Sequence, residues 1–265
     1  MKISVIGAGN LATHLVETLD AAGFDIQEVF SRDIINAKKL TKDLYNSTAT
    51  DVLNFEVSQA TLFFLAVTDD ALDEIIPQLV LPENAILAHT SGSFSLTELT
   101  RLVSIHHDLP VETAVFYPLM TFSKAVSVDF KKIPICIEAS NDAVEQKLIG
   151  VAKTISHTVY TVDSQERKKL HLAAIFACNF TNHLLALSKE IMDENDLEFD
   201  LVKPLIKATI IKAFVAQHPA DVQTGPAVRG DEKTIKAHLA ALADNQDLLT
   251  IYKTMTKSIQ NWHNG

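Results

Sequence analysis

The chain has 265 residues, of which 47% are hydrophobic and 21% charged, and its formal net charge is −10. This balance is typical of one large or two small globular domains. An acidic surface argues against nucleic-acid binding because it repels phosphate backbones. No stretch comes near the ~20 uncharged apolar residues that span a bilayer, and the first residues resemble a strand more than a signal peptide. We therefore expect a cytoplasmic protein with neither a membrane nor a nucleic acid as partner.

Strands and helices alternate over the first 162 residues. Hydrophobic periodicity predicts strands at 2–6, 26–31, 61–67, 85–89, 112–117, 133–138 and 157–162. The same periodicity predicts helices between them at 10–22, 34–45, 70–79, 95–103 and 142–155. Alternation of this kind favours a mostly parallel sheet with helices on both faces.

Beyond residue 162 every predicted element is a helix, at 164–194, 198–217, 231–243 and 246–262. The middle of the first of them, 170–187, is apolar on nearly every side, which is typical of a helix buried all round. A domain this small offers little cover, so we expect part of this helix to pack against a second subunit. The predicted fold is an α/β Rossmann domain (1–162) followed by an all-α C-terminal domain (163–265).

Two cysteines, Cys136 and Cys178, lie inside apolar runs, and their spacing suits no metal site. We expect both to be buried, reduced thiols, and we predict no metal.

A glycine-rich turn follows the first predicted strand and opens the first predicted helix, with the sequence Gly7-Ala8-Gly9-Asn10-Leu11-Ala12. In this G-x-G-x-x-A pattern the first glycine allows the tight turn, the second lets the backbone approach a diphosphate, and the alanine allows close helix packing. The free N–H groups at the helix start then face the phosphates. The pattern predicts dinucleotide binding, with Gly7, Gly9, Asn10 and Leu11 at the cofactor; the alternative is a Rossmann-like domain that has lost its ligand.

The end of the second strand distinguishes NAD from NADP. NAD-binding proteins usually place an acidic residue there for the ribose 2′-hydroxyl, whereas this strand ends in Ser31 and Arg32. A hydroxyl and a guanidinium suit a 2′-phosphate, and Lys38 adds positive charge. The adjacent Asp33 is acidic and favours NAD instead, and Arg32 can also be an ordinary surface charge. We predict NADP.

Ligands of open parallel sheets bind beyond the carboxyl ends of the strands. The residues expected there are Ala66, Val67, Thr68, His89, Ser91, Gly92 and Tyr117. Ser91 and Ser93 have an alternative role as caps of the helix predicted at 95–103, with Ser93 the better candidate. His89 is as well explained by a structural role as by a functional one.

Polar residues interrupt the apolar part of the long helix at His171, Asn179 and Asn182. Polar groups in such surroundings need partners, which are either a cofactor or substrate, or another helix. Histidine suits general acid catalysis near neutral pH. Farther on, Arg229 is available to bind an acidic substrate or to pair with Asp231, which can itself cap the next helix.

The chain resembles Rossmann-like proteins that carry a helical domain of unknown function and are labelled provisionally as NADP oxidoreductases. The resemblance spans nearly the whole chain. Its motifs are the glycine turn, His89-Thr90-Ser91-Gly92, Tyr117-Pro118-Leu119, the stretch from His171 to Asn179, and Thr224-Gly225-Pro226-Ala227-Val228-Arg229-Gly230-Asp231. Relatives often have His-Pro in place of Tyr117-Pro118. More distantly, the layout is similar to pyrroline-5-carboxylate reductase, ketopantoate reductase and 6-phosphogluconate dehydrogenase.

The resemblance implies NADPH-dependent reduction and a homodimer formed through the helical domain, but it supplies no substrate. Our first hypothesis is an enzyme that passes a hydride to a carbonyl or imine of a small anionic molecule. His171 is then the proton donor, Asn179 and Asn182 orient the substrate, and Tyr117 and Arg229 bind it. A non-catalytic NADP(H) sensor is the second hypothesis, since it keeps the glycine turn without needing a proton donor. A Rossmann methyltransferase is a third, although such enzymes lack the trailing long helix.

Overall fold

The first part of the chain is built on a single sheet in the computed structural model, which describes residues 1–264. Eight strands lie within that range. They are β1 (Lys2–Ile6), β2 (Asp25–Phe30), β3 (Thr48–Thr50), β4 (Leu62–Leu65), β5 (Ile86–His89), β6 (Glu112–Pro118), β7 (Ile135–Ala139) and β8 (Val159–Thr161).

The strand order is β3-β2-β1-β4-β5-β6-β7-β8, and the pairs described are parallel except the antiparallel β6–β7 pair. The chain therefore leaves β1 toward one edge and returns on its other side at β4. Such a reversal opens a crevice beyond the carboxyl ends of the two strands, where open α/β sheets bind their ligands.

Helices cover both faces of the sheet, as predicted. The helices of this part are α1 (Asn10–Ala21), α2 (Ile34–Thr41), α3 (Asp69–Ile75), α4 (Leu96–His106) and α5 (Asp142–Ile155). One core cluster joins Val5 and Phe64 to the buried sides of α1 and α5, and a second joins Ile6 and Phe63 to α3 and α4. Successive strand residues thus point to opposite faces, and both faces are buried, which explains why β4 and β5 are apolar throughout.

The long helix runs from Ser164 to Asp193. It consists of α6 (Ser164–Ala174), a π-helical segment (Ile175–Phe180) and α7 (Thr181–Asp193). The chain divides into two compact units inside the π-helical segment, with Met1–Cys178 as the first and residues 179 onward as the second. All of α6 and the first residues of the π-helical segment therefore belong with the sheet, whereas the periodicity placed the boundary at residue 162.

The second unit is helical. It contains α7, α8 (Lys203–Val215), the short α9 (Pro226–Arg229), α10 (Glu232–Ala241) and α11 (Gln246–Asn264), with 3₁₀ turns at Phe199–Leu201 and Pro219–Val222. Asp231 accepts a hydrogen bond from the Thr234 N–H and caps α10, and the Arg229 guanidinium lies 4.0 Å from its carboxylate. Both structural roles considered for these residues are confirmed.

Three local expectations were wrong. The strand β3 was missed because Thr48–Thr50 is too short to show a period. The cap of α4 is Ser95, whose hydroxyl accepts the Glu98 N–H, and not Ser93. Cys136 is buried as expected, but Cys178 is exposed, because the apolar run around it is not covered within this chain.

By length and composition alone, the helix Ser164–Asp193 is the one described helix long and apolar enough to cross a membrane, contrary to the expectation that no stretch comes near this limit. None of its apolar window is buried. A single helix of this kind is weak support for a membrane span, since long apolar helices also occur in protein cores and interfaces.

Candidate cofactor-binding and active site

A cavity of about 630 Å³ lies at the carboxyl ends of β1, β2, β4, β5 and β6. Nearly all the residues predicted at the cofactor line it, together with two predicted at the substrate. They are Gly7, Gly9, Asn10, Leu11, Ser31, Arg32, Ala66, Val67, Thr68, Ser91, Gly92, Tyr117 and His171. All of them belong to the first unit, so this unit by itself builds a continuous site.

The glycine turn forms one wall of the cavity. Gly7 has a φ of +127°, and a Cβ at this position would lie 2.2 Å from the carbonyl oxygen of Ala66. Only glycine therefore permits this approach of the turn to the end of β4. Gly9 is the N-cap of α1, and among the described residues no side chain accepts a hydrogen bond at this helix start. A Cβ on Gly9 would meet no atom within 4 Å.

These features fit a bound dinucleotide diphosphate. The N–H groups at the start of α1 lack a side-chain cap, and an anion at a helix N-terminus satisfies such groups and interacts favourably with the helix dipole. The open space beside Gly9 leaves the backbone accessible to an approaching phosphate.

The far end of the cavity, after β2, is lined by Ser31, Arg32, Asp33 and Asn36. Asp33 caps α2, since its carboxylate accepts the Ile35 N–H at 3.0 Å and the Asn36 side-chain amide at 3.3 Å. Its oxygens are thus engaged in helix capping. The Arg32 side chain is 77% exposed and lies 3.9 Å from Glu74, an ion pair too exposed to hold it firmly.

Tyr117 and His171 meet at the opposite end. The Tyr117 hydroxyl lies 3.1 Å from Nδ1 of His171, and the two rings are in an edge-on arrangement with centroids 6.1 Å apart. The imidazole also packs on Gly92, where a Cβ would lie 2.6 Å from the same Nδ1. The His171 ring is therefore held between β6 and the loop after β5, and Gly92 supplies the space for it.

Burial, ahead of the neighbouring Cys136 thiol, raises the pKa of Tyr117 to about 12. The phenol therefore stays protonated at neutral pH and has both a proton to donate and an oxygen lone pair to accept with. Either role fits Nδ1 of His171, which donates or accepts according to the imidazole tautomer.

His89 does not line the cavity, in contrast to its predicted cofactor contact. It is 0% exposed, and its Nδ1 accepts a hydrogen bond from the Ser91 N–H at 3.1 Å. Burial, and then the nearby Arg167 charge, lowers its pKa to about 3. The ring is thus neutral, and its place is structural: it shapes the loop that carries Ser91 and Gly92.

Arg167 was missed by sequence reasoning. It is 0% exposed, forms an ion pair with Glu138 on β7 and donates to the carbonyl of Phe94. Arg167 precedes His171 by four residues, about one helical turn. Arg167 therefore fastens α6 to the sheet and to the loop after β5, about one helical turn before His171.

Asn179, Asn182 and Arg229 lie in the second unit, outside the residues that build the cavity. Asn179 is part of the π-helical segment, and both asparagines are exposed within the chain. Their predicted roles toward a substrate stay predictions.

A solved structure from Bacteroides fragilis, assigned provisionally as an NADP oxidoreductase, is 40% identical to this chain, with a TM-score of 0.88 and 98% of each chain covered. The chain belongs to this family of NADP oxidoreductases. Family descriptions agree: residues 2–90 match "NADP oxidoreductase coenzyme F420-dependent", and residues 133–259 match a domain of unknown function.

More distant relatives share the fold. A protein from Thermotoga maritima is 22% identical, with a TM-score of 0.76, and the match covers 99% of this chain and 100% of that one. A reductive aminase from Aspergillus terreus, solved with NADPH and ethyl levulinate, is 12% identical, with a TM-score of 0.72 and coverage of 98% and 94%. No curated protein matches the chain.

Proposed function

We propose that this NADP oxidoreductase family member uses NADP(H) to reduce a carbonyl or imine of a small anionic metabolite. The observation that carries the proposal is the single cavity that joins the glycine turn to the Tyr117–His171 pair. A dinucleotide with its diphosphate on the turn would have its reactive end among the strand ends that hold these side chains. When bound, NADPH supplies a hydride, while the protein orients the reactants and excludes water.

The preference for NADP over NAD rests on the residues after β2. Asp33 is engaged as a helix cap, which supports a structural role for this acidic residue in place of selection for NAD. Ser31 and the weakly held Arg32 are then free to bind a 2′-phosphate, and guanidinium makes strong paired hydrogen bonds to such a group.

His171 is proposed as the proton donor. In its protonated form the imidazole would give the Nε2 proton to the substrate oxygen or nitrogen, while the Nδ1 proton is held by the Tyr117 oxygen 3.1 Å away. Tyr117 remains a neutral phenol throughout, in keeping with its raised pKa.

The test combines calorimetry and kinetics. We expect NADPH to bind at least tenfold more tightly than NADH, and Arg32→Ala to remove most of this difference. Against a panel of keto acids and cyclic imines, His171→Ala should lower kcat by about 10²–10⁴-fold, the usual contribution of a general acid, with NADPH affinity within threefold of the wild type. Lack of NADPH binding would refute the proposal, and binding without turnover of any compound would support the sensor hypothesis.

We further propose a homodimer formed through the helical unit. Within this unit most of the large apolar residues of α8 are exposed, among them Leu205 (65%) and Phe214 (83%), and α7 adds Leu184 and Ile191. Apolar surface spread over two helices suits a second copy better than a bilayer, since α8 also carries Lys207 and Lys212 among these residues.

Light scattering tests this interface. We expect twice the 29.1 kDa chain mass for the wild type and the monomer mass for Phe214→Lys. Tyr45→Lys is the matched control, because Tyr45 is an equally exposed aromatic residue of the sheet unit and its replacement should leave the dimer intact. A wild-type monomer, or flotation of the protein with phosphatidylcholine vesicles, would contradict the dimer.

A further inference from the structure

The segment 119–126 after β6 lies against the glycine turn. The Lys124 ammonium donates a hydrogen bond to the carbonyl oxygen of Ala8 at 2.9 Å. Ala8 is the residue between the two glycines of the turn, so this contact brings a positive charge to the proposed diphosphate site from a segment 116 residues away in sequence.

Contacts with α1 and with the core hold the 119–126 segment in place. Nε2 of His14, on α1, lies 2.9 Å from the carbonyl oxygen of Ser123, and the His14 ring is 5.8 Å from that of Phe122. Phe122 also stacks on the buried Phe130. Because Phe122 and Ser123 immediately precede Lys124, the backbone that carries the ammonium is fixed on the same helix whose N-terminus forms the turn.

The charges that line the cavity indicate a role for the Lys124 ammonium. Among the described residues that line the cavity, Arg32 carries the one permanent positive charge, and it lies at the end proposed for the 2′-phosphate. Asp33 and Asp69 also line the cavity, and the whole chain has a net charge of −10. A full positive charge near the turn would offset these carboxylates and add to the partial charges of the backbone N–H groups that face a diphosphate.

We propose that Lys124 is a ligand of the cofactor diphosphate, and that His14 is the residue that positions its segment. This inference rests on the proposed NADP(H) function. The ammonium has three donors, of which one is used on Ala8, so another can reach a diphosphate oxygen without giving up that bond. A charge-assisted hydrogen bond of this kind is stronger than the neutral ones around it.

Binding measurements on two lysine variants test the inference. Lys124→Met should weaken NADPH binding about tenfold, the size of one charge-assisted hydrogen bond, and Lys124→Arg should recover most of the loss. Lys131→Met is the matched control, since Lys131 also donates to a carbonyl oxygen. Its acceptor is Thr154 of α5, away from the glycine turn, whereas the acceptor of Lys124 is Ala8, which lines the cavity. Lys131→Met should bind NADPH as the wild type does.

Fragments of the cofactor locate the contact. Lys124→Met should weaken the binding of ADP, which carries a diphosphate, and leave that of adenosine 2′-monophosphate unchanged. The inference is wrong if the wild type binds NADPH and Lys124→Met binds it within twofold, or if 2′-monophosphate binding falls as much as ADP binding. A wild type that binds no dinucleotide would refute the proposed function itself, and this inference with it. Unchanged melting temperatures of the variants would show that the fold is retained.

Discussion

The sheet unit and the helical unit bury their apolar residues very differently. Phe63 and Phe64 of β4 are fully buried between the helix layers, whereas Leu205 and Phe214 of α8 are exposed although α8 is also rich in apolar residues. The sheet unit completes its core and its cavity from its own residues. The helical unit carries apolar surface that its own helices do not cover, and the proposed homodimer would bury it. If the sheet unit forms its core and its cavity from its own residues, single substitutions within it should change its stability and its site.

The largest effect is expected for Gly7→Ala. The φ of +127° disfavours any side chain, and a Cβ would lie 2.2 Å from a backbone oxygen that cannot move independently of β4. We expect a loss of more than about 4 kcal/mol in the free energy of unfolding, measured by chemical denaturation, since backbone strain and overlap both contribute.

Gly150→Ala is its control. Gly150 lies inside α5 with open space around its Cα, so alanine should raise stability by up to about 1 kcal/mol through helix propensity. Equal effects of the two substitutions would show that the turn is not held against β4 as described.

The next effect is catalytic. Gly92→Ala would place a methyl group against the His171 imidazole and displace it from Tyr117. We expect kcat to fall about 100-fold, within the range for a misplaced general acid, in steady-state assays with a substrate found in the panel. A Gly92→Ala variant with normal kcat would show that His171 takes no part in the chemical step.

Acid should destabilise the sheet unit through His89. The folded state holds this ring neutral down to about pH 3, whereas an unfolded histidine takes up a proton near pH 6.5. The stabilisation is therefore complete above pH 6.5 and is lost as the pH falls toward 3, at about 1.4 kcal/mol per pH unit and about 2 kcal/mol by pH 5.

His89→Asn should flatten this dependence, because the amide oxygen can accept the Ser91 N–H but takes up no proton. The measurement is the free energy of unfolding between pH 5 and 8 for both proteins. Parallel curves would mean that His89 is not the group responsible.

The smallest effect concerns the cap of α4. Ser95→Ala removes the acceptor of the Glu98 N–H at 3.2 Å and should cost about 1 kcal/mol of unfolding free energy. Ser104→Ala, on the exposed side of the same helix, should change it by less than about 0.5 kcal/mol. A cost for Ser104→Ala as large as that for Ser95→Ala would remove the case for a cap at Ser95.

Much of the first unit could be predicted because its signals are local. The glycine turn, the two-sided apolar strands and the helical spacing each occupy a few consecutive residues, and the residues predicted from them line one cavity. His89 is the exception, since sequence places it at a strand end but cannot tell whether its ring faces the cavity or the core.

The parts that could not be predicted depend on contacts distant in sequence. Nothing in the local pattern pairs Arg167 with Glu138, or Lys124 with Ala8, because these contacts follow from the antiparallel return of β7 and the loop before it. Likewise, the exposure of Cys178 depends on what covers the long helix, and that information is not local to the residue.

In the proposed site, the glycine turn and the Tyr117–His171 pair lie at the two ends of one dinucleotide-binding cavity. The most direct test follows the imidazole proton signals of His171 by NMR, assigned with His171→Asn, as ligands are added. We predict that NADPH shifts these signals strongly, whereas adenosine 2′,5′-bisphosphate, which lacks the nicotinamide, leaves them nearly unchanged. NADPH binding that leaves the His171 signals unmoved would mean that the nicotinamide does not lie beside His171.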